Sequence, residues 1–169
     1  MRLYSAKVPS LANQIVTALT KEGEVETNSP REVQLDVEAV LNQYVRDEQE
    51  VSERAKDLLA QRSLPQTEFG RIKKLVADER KIKIGDEAID YILDQLVEML
   101  MHSANVEEIF AEDYVLRRKM RDPLRAEASQ EQELQAEVRA QLRHVQEGTS
   151  MWEVEYRRMM DDLKRRKGL

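Results

Sequence analysis

A small set of histidine and carboxylate side chains could in principle support catalysis or metal binding. Glu98 and His102 lie four residues apart, so a helix would place both on one face within reach of a single metal ion. A di-iron centre inside a helix bundle needs Glu-x-x-His pairs on facing helices, and the sequence has none. The acidic pairs Asp47/Glu48, Glu107/Glu108 and Glu112/Asp113 could act as acid and base carboxylates, and all lie in charged segments. Such pairs are typical of solvated helix faces. No phosphate-binding glycine loop or nucleophile motif is present, so we expect no enzyme, no cofactor and no metal site.

Clustered basic residues are a second source of chemistry, because Lys and Arg side chains can contact phosphates. The candidates for phosphate contact are Lys81, Lys83, Arg117, Arg118 and Lys119. Acidic residues are interleaved with them, which favours ion pairs on a solvated helix surface. The net charge is −6, and no aromatic platform accompanies the clusters. RNA or ribosome association is therefore the alternative function, and nucleic acid is the second choice of partner.

An apolar stripe near the C-terminus is the leading candidate for a partner-binding surface. Trp152, Tyr156, Met159 and Met160 recur at helical spacing, and Trp and Met are residue types that interfaces enrich. The stripe could dock on a partner protein or a second copy, or it could pack on the protein's own core. The leading expectation for function is a non-enzymatic protein-interaction or scaffold protein, with a homodimer as one form.

The composition indicates a folded, mainly helical protein. Of 169 residues, 41% are hydrophobic and 36% charged, while only 5 are Gly and 4 are Pro. The absence of Cys fits the cytosol, and the N-terminus has no apolar segment typical of a secretory signal. No apolar run approaches the roughly 18 residues that a membrane span requires. We expect a cytoplasmic protein with no membrane partner.

Capping signals predict where the helices begin and end. Pro9 and Gly23 bracket a first helix, and Ser29-Pro30-Arg31-Glu32 is a capping box that begins a long second helix. A third helix stops near Arg80, and Asp86 caps a fourth.

Similar signals organise the second half of the chain. Asn105 with Glu108 resembles a capping box that opens a fifth helix, and Asp122-Pro123 predicts its end. Ser150 with Glu153 predicts the start of the last helix. We therefore expect a C-terminal helical hairpin over residues 123–169.

An internal repeat relates residues 1–62 to residues 63–122, with Val25 aligned on Ile82. Each unit reads as helix, short strand and long helix, and we expect the two units to share one core. The strands at Val25 and Ile82 are predicted to pair, because opposite charges would then face each other across the ribbon. Those charged residues are Glu24 and Glu26 against Lys81 and Lys83.

The predicted fold is mainly α: a helical domain of two related helix–short strand–helix units with a minimal two-stranded antiparallel ribbon, plus the C-terminal hairpin. The segments "REVQLDVEAVLNQYVRDEQEVSERAKDLL", "IKKLVADERKIKIGDEAIDYILDQLVEML" and "VEEIFAEDYVLRRKM" resemble a bacterial family, domain-of-unknown-function family 507. The resemblance covers most of residues 1–122, and the tail with "EGTSMWEVEY" looks like the ending of longer members. It implies a small bacterial helical protein and carries over no catalytic or binding residues.

Overall fold

The computed structural model describes the whole chain, residues 1–169, as six α-helices and one two-stranded antiparallel sheet. In chain order the elements are α1 (Val8–Thr20), β1 (Val25–Glu26), α2 (Pro30–Gln61), α3 (Phe69–Glu79), α4 (Ala88–His102), β2 (Glu108–Ile109), α5 (Asp113–Gln141) and α6 (Ser150–Lys167). Short 3₁₀ turns precede α1, α3 and α4. The predicted mainly α fold is confirmed. None of the helices combines the length and apolar character that a membrane span requires.

Helix α2 is the longest element, and it begins at the predicted residue. Pro30 occupies its first turn, where a missing backbone N–H leaves no intrahelical hydrogen bond unmade. The predicted capping box does not form, because the Ser29 side chain makes no capping hydrogen bond. The Ser29 carbonyl instead accepts hydrogen bonds from the N–H groups of Glu32 and Val33. The buried stripe of α2 consists of Val33, Val37, Leu41, Tyr44, Val45, Val51, Ala55 and Leu59.

Residues 1–126 form one compact unit with its own hydrophobic core. Helix α2 packs against α1, α3 and α4, so it is the central support of this unit. The largest fully buried side chains are Leu11, Ile15, Leu19, Leu41, Ile72, Ile92, Leu93, Leu96, Leu100, Leu116, Met120 and Leu124. Full burial of one such side chain is worth about 1.5–3 kcal/mol. This core therefore holds α2 and α4 in a fixed relation to each other.

The predicted strand at Ile82 is wrong, because this segment ends helix α3. Lys81 adopts a left-handed conformation with φ of 59°. The Lys81 N–H donates to the Asp78 carbonyl, and the Ile82 N–H donates to the Ala77 carbonyl. These two bonds are the hydrogen bonds of a Schellman motif, which closes a helix and carries an apolar residue just beyond it. Ile82 is that residue, and its side chain is buried in the core.

The ribbon exists, but its second strand is β2 rather than the segment at Ile82. Val25 pairs with Ile109 and Glu26 pairs with Glu108, in antiparallel register. The predicted charge complementarity is therefore also wrong, since two glutamates face each other across the ribbon. Backbone bonds from the Glu107 N–H to the Glu26 carbonyl and from the Phe110 N–H to the Glu24 carbonyl, each 2.8 Å, hold the strands together.

Helix α5 begins at Asp113, eight residues after the predicted cap at Asn105. The Asn105 side chain donates to Asp36 of α2 at 3.0 Å, and the Ser103 hydroxyl donates to the same carboxylate oxygen at 2.6 Å. The Asn105 carbonyl accepts a hydrogen bond from the Thr27 hydroxyl at 2.6 Å. These contacts hold the segment after α4 in position for strand pairing, and they replace the predicted capping box.

Pro123 does not end α5, which continues through it to Gln141. A proline inside a helix removes one hydrogen bond and costs about 3 kcal/mol. Leu116, Met120 and Leu124 offset this cost, because all three are fully buried at a spacing of four residues on both sides of the proline. The boundary predicted at Asp122-Pro123 is therefore wrong as a helix end.

Residues 127–169 form a second compact unit, with helical segments from α5 and α6. Its buried residues are Leu134, Val138, Leu142, Met160 and Leu163. The N-terminal cap of α6 is Thr149, one residue before the predicted Ser150, and its hydroxyl accepts a hydrogen bond from the Trp152 N–H at 3.2 Å. Glu131 is buried in this unit and pairs with Lys164 at 3.3 Å.

Candidate functional site

A groove of about 290 Å³ lies between α2 and α4 in the first unit. Its lining residues are Ala39, Val40, Gln43, Tyr44 and Asp47 from α2, and Tyr91, Ile92 and Gln95 from α4. On each helix these positions are three or four residues apart or adjacent, so each set shares one face. The volume is at the lower limit of small-molecule pockets, and it suits one or two side chains of a larger partner.

Two tyrosines form the aromatic part of the groove. The ring centroids of Tyr44 and Tyr91 are 6.1 Å apart, with the ring planes tilted by 48°. Tyr44 is 3% exposed, and its hydroxyl donates a hydrogen bond to the Lys83 carbonyl at 3.2 Å. Burial raises the pKa of Tyr44, and the nearby Glu48 carboxylate and Tyr91 raise it further. Tyr44 is therefore a neutral, fixed wall of the groove at ordinary pH.

One carboxylate stands beside these rings. Asp47 accepts a hydrogen bond from the side-chain amide of Gln43 at 2.8 Å, and the Gln43 oxygen accepts one from Arg46 at 2.7 Å. Burial raises the pKa of the Tyr91 phenol, and the Asp47 charge adds to this effect. The groove therefore combines apolar and aromatic surface with one negative charge.

Arg117 and Lys119, both predicted to contact phosphates, are held by acidic side chains. Arg117 pairs with Asp94 and with Asp113, each at 2.6 Å. Lys119 pairs with Glu22 at 2.7 Å and also contacts Glu24. These hydrogen bonds raise the pKa of both cations, and the bond from Lys119 lowers the pKa of Glu24. A cation flanked by two carboxylates attracts phosphate weakly, because the local charge is already compensated.

The other three predicted phosphate contacts lie in separate places along the fold. Lys83 pairs with Glu87 at 3.5 Å, and Lys81 lies in the left-handed turn after α3. Arg118 is exposed near the start of α5. The structure thus places two of the five cations between α3 and α4 and three on α5.

The predicted partner-binding stripe packs within the second unit. Met160 is 4% exposed in the core of that unit, so it is inaccessible while the unit is folded. Trp152, Tyr156 and Met159 are partly buried against the same core. The Trp152 and Tyr156 rings stack at a centroid distance of 4.7 Å. Of the two alternatives for this stripe, packing on the protein's own core is present, and a role in binding a partner stays a prediction.

Glu98 and His102 approach within 3.3 Å, as the helical spacing predicts. Both side chains are largely exposed, and no group of three or more His, Asp and Glu residues is arranged to hold a metal ion. The pair is an ordinary surface contact one turn apart on α4.

The groove residues Tyr44, Asp47 and Tyr91 were not identified as a site from the sequence. Tyr44 fits the buried stripe of α2, and Asp47 reads as part of a solvated acidic pair. A usable signal was present, because Tyr at a buried helix position brings a hydroxyl that needs a partner. Which helix faces which could not be read from spacing alone.

These features define a small helical protein with an aromatic groove between two of its helices. The chain belongs to the family described as protein of unknown function (DUF507), whose family model matches residues 1–169. The resemblance seen in residues 1–122 is confirmed, and the match includes the C-terminal tail. A comparison with curated proteins finds no match.

Proposed function

We propose that this protein is a non-enzymatic, cytoplasmic interaction protein that binds a segment of a partner protein in the groove between α2 and α4. The observation that carries the proposal is the pair of tyrosines, Tyr44 and Tyr91, in a concave surface between two helices that share a core. Aromatic residues in preformed pockets dominate the binding energy of protein interfaces. Because α2 and α4 are fixed by buried side chains, the groove costs little to organise before binding.

A protein segment suits the groove better than a free small molecule. The volume of about 290 Å³ holds one or two side chains, while drug-sized ligands fill pockets of about 300–1,000 Å³. Leu35, one turn before Ala39 on α2, is a further apolar residue that is 40% exposed. A partner helix could therefore place one side chain in the groove and rest another on Leu35, as in helix-in-groove recognition.

The test is a matched pair of substitutions on α2. Ala39→Trp fills the groove, whereas Ala60→Trp adds the same ring at an exposed position outside it. A tagged chain is used to capture partners from lysate of the source cells, with and without nuclease, and each captured protein is purified and its affinity measured. We expect Ala39→Trp to lower the affinity of the reconstituted complex at least about tenfold and Ala60→Trp to leave it unchanged.

Three results would contradict this function. Equal affinity of both tryptophan variants would place the contact elsewhere on the protein. Loss of all captured material with nuclease or moderate salt would favour the alternative, an RNA- or ribosome-associated protein. Self-association of the purified chain that Ala39→Trp does not affect would indicate a homodimer built on a different surface.

A further inference from the structure

We propose that the groove receives an arginine side chain of the partner protein, with the guanidinium stacked on Tyr91 and paired with Asp47. This inference rests on the proposed function and names the chemistry of the group that enters the site. Two features of the groove support it: a carboxylate without an ion-pair partner and an aromatic wall. The chemistry of the two basic side chains then favours arginine over lysine.

Asp47 differs from its acidic neighbours because it forms no direct ion pair with a basic side chain of the protein. Its hydrogen-bond partner is the neutral amide of Gln43, and the nearby Arg46 donates to Gln43 instead. Carboxylates on the two helices are already paired, namely Glu48 with Lys73, Asp90 with Arg121 and Asp94 with Arg117, and Glu87 just before α4 pairs with Lys83. A cation from outside is the group that would complete the environment of Asp47.

The tyrosine rings favour a cation over a neutral or negative group. A positive charge within about 6 Å of an aromatic ring centroid is attracted to the ring face. Tyr91 is partly exposed, whereas Tyr44 is buried. Burial raises the pKa of both phenols and disfavours a charge of either sign, whereas the carboxylates of Glu48 and Asp47, which raise the pKa further, disfavour a negative charge and attract a positive one.

Arginine fits these surroundings better than lysine. Its planar guanidinium stacks on aromatic rings, is less strongly hydrated than an ammonium, and has several N–H donors in one plane. Asp47 can accept two of them, and the amide oxygen of Gln95 on the facing helix is a further acceptor. A lysine ammonium would gain the charge interaction but would lose the stacking.

The experiment uses the full-length, ¹⁵N-labelled protein and three small probes. These are N-acetyl-arginine methylamide, its lysine analogue and its citrulline analogue, which has nearly the shape of arginine without the charge. The arginine probe is expected to shift the amide signals of residues 39–47 and 91–95 saturably, with a Kd of about 10 mM or lower. The citrulline probe should bind at least about tenfold more weakly, and the lysine probe should lie between the two.

Asp47→Asn should weaken the arginine probe about tenfold and leave the citrulline probe unchanged. Asp57→Asn is the control, because Asp57 is an exposed acid on α2 outside the groove. Similar affinities for arginine and citrulline, no effect of Asp47→Asn, or no saturable shift in the groove would each overturn the inference. The citrulline comparison requires no variant, so it stays decisive even if a substituted chain folds poorly.

The reconstituted complex separates this inference from the function beneath it. A complex weakened by Ala39→Trp but not by Asp47→Asn would leave the groove as the binding site and reject arginine as its ligand. If neither substitution changes the affinity of the complex, both proposals are rejected. We expect Ala39→Trp and Asp47→Asn each to weaken the complex, and the controls Asp57→Asn and Ala60→Trp to leave its affinity unchanged.

Discussion

The rings of Tyr44 and Tyr91 lie 6.1 Å apart across the α2–α4 groove, and the Tyr44 hydroxyl is hydrogen-bonded to the Lys83 carbonyl. One side chain therefore forms a wall of the groove and also ties α2 to the segment that leads into α4. The stability of the protein therefore depends on the Tyr44 hydroxyl, which is also part of the groove.

Replacing Tyr44 by Phe should lower the free energy of unfolding by about 1 kcal/mol at neutral pH, because one hydrogen bond is lost. The folded state holds the phenolic proton more tightly than the unfolded state, whose pKa is about 10. The contribution of the protonated Tyr44 phenol to the free energy of unfolding is complete below pH 10. It is lost as the pH rises from the unfolded-state pKa towards the raised folded-state pKa. Urea unfolding measured at pH 7 and above pH 10 should show a weaker alkaline loss in Tyr44→Phe. Tyr114→Phe, at an exposed residue, is the control, and an identical alkaline loss in wild type and Tyr44→Phe would contradict the prediction.

The strand register can be tested with an engineered disulfide, because the chain has no cysteine of its own. Val25 and Ile109 are directly opposed in the ribbon, at a separation that a disulfide can bridge. The double variant Val25→Cys/Ile109→Cys should oxidise to a monomeric disulfide and unfold at a higher denaturant concentration. Val25→Cys/Ile82→Cys, which follows the register predicted from the repeat, should stay reduced under the same conditions. Rapid oxidation of the second pair alone would contradict the observed sheet.

Lys81→Gly should stabilise the protein by about 0.5–1 kcal/mol. A residue with a Cβ atom in the left-handed conformation destabilises the fold by about 1–2 kcal/mol, and glycine removes this strain. Glycine also has greater conformational freedom in the unfolded chain, which offsets part of the stabilisation. Lys81 has φ of 59° and its side chain is exposed, so the substitution removes no packing. Lys81→Ala is the matched control, because alanine removes the same side chain but keeps a Cβ atom in the left-handed region. Chemical denaturation in which Lys81→Gly is no more stable than Lys81→Ala would count against the Schellman ending of α3.

Trp152→Ala should destabilise the second unit by about 2 kcal/mol, because Trp152 packs on its core and stacks on Tyr156. Val154→Ala is the control, since Val154 lies on the same helix with 66% of its surface exposed. Amide hydrogen exchange of α6 should accelerate in Trp152→Ala and stay unchanged in Val154→Ala. Unchanged exchange together with the loss of a partner complex would instead support the stripe as a binding surface.

Helix starts and buried faces were largely predictable because they depend on local chemistry. Pro30 and the stripe that begins at Val33 predicted α2 with its start at the correct residue. The spacing of Trp152, Tyr156 and Met160 indicated a single apolar face on the last helix. Propensity and periodicity are properties of neighbouring residues, so a sequence shows them directly.

The ribbon partner was mispredicted because pairing is a long-range choice. The alternation of Lys and Ile in "KIKIG" resembles a strand, yet Lys81 closes α3 and Ile82 is buried beside it. Asn105 resembled a helix cap, yet its side chain and that of Ser103 donate hydrogen bonds to Asp36 of α2. The same polar residue types cap helices and anchor loops. Which of these two roles a residue takes depends on the secondary-structure element that packs against it. The groove was missed for the same reason, since Tyr44 and Tyr91 meet only after α2 packs on α4.

The most direct test of the central claim is site-specific photo-cross-linking in the source cells. Benzoylphenylalanine is introduced at Gln95, on the rim of the groove, and separately at Gln49, an exposed residue of α2 outside it. We predict that Gln95 gives one protein adduct that is absent from Gln49, and that its cross-linked peptide includes or adjoins an arginine. An adduct pattern that is the same from both positions, or no adduct from Gln95, would contradict the α2–α4 groove as the binding site.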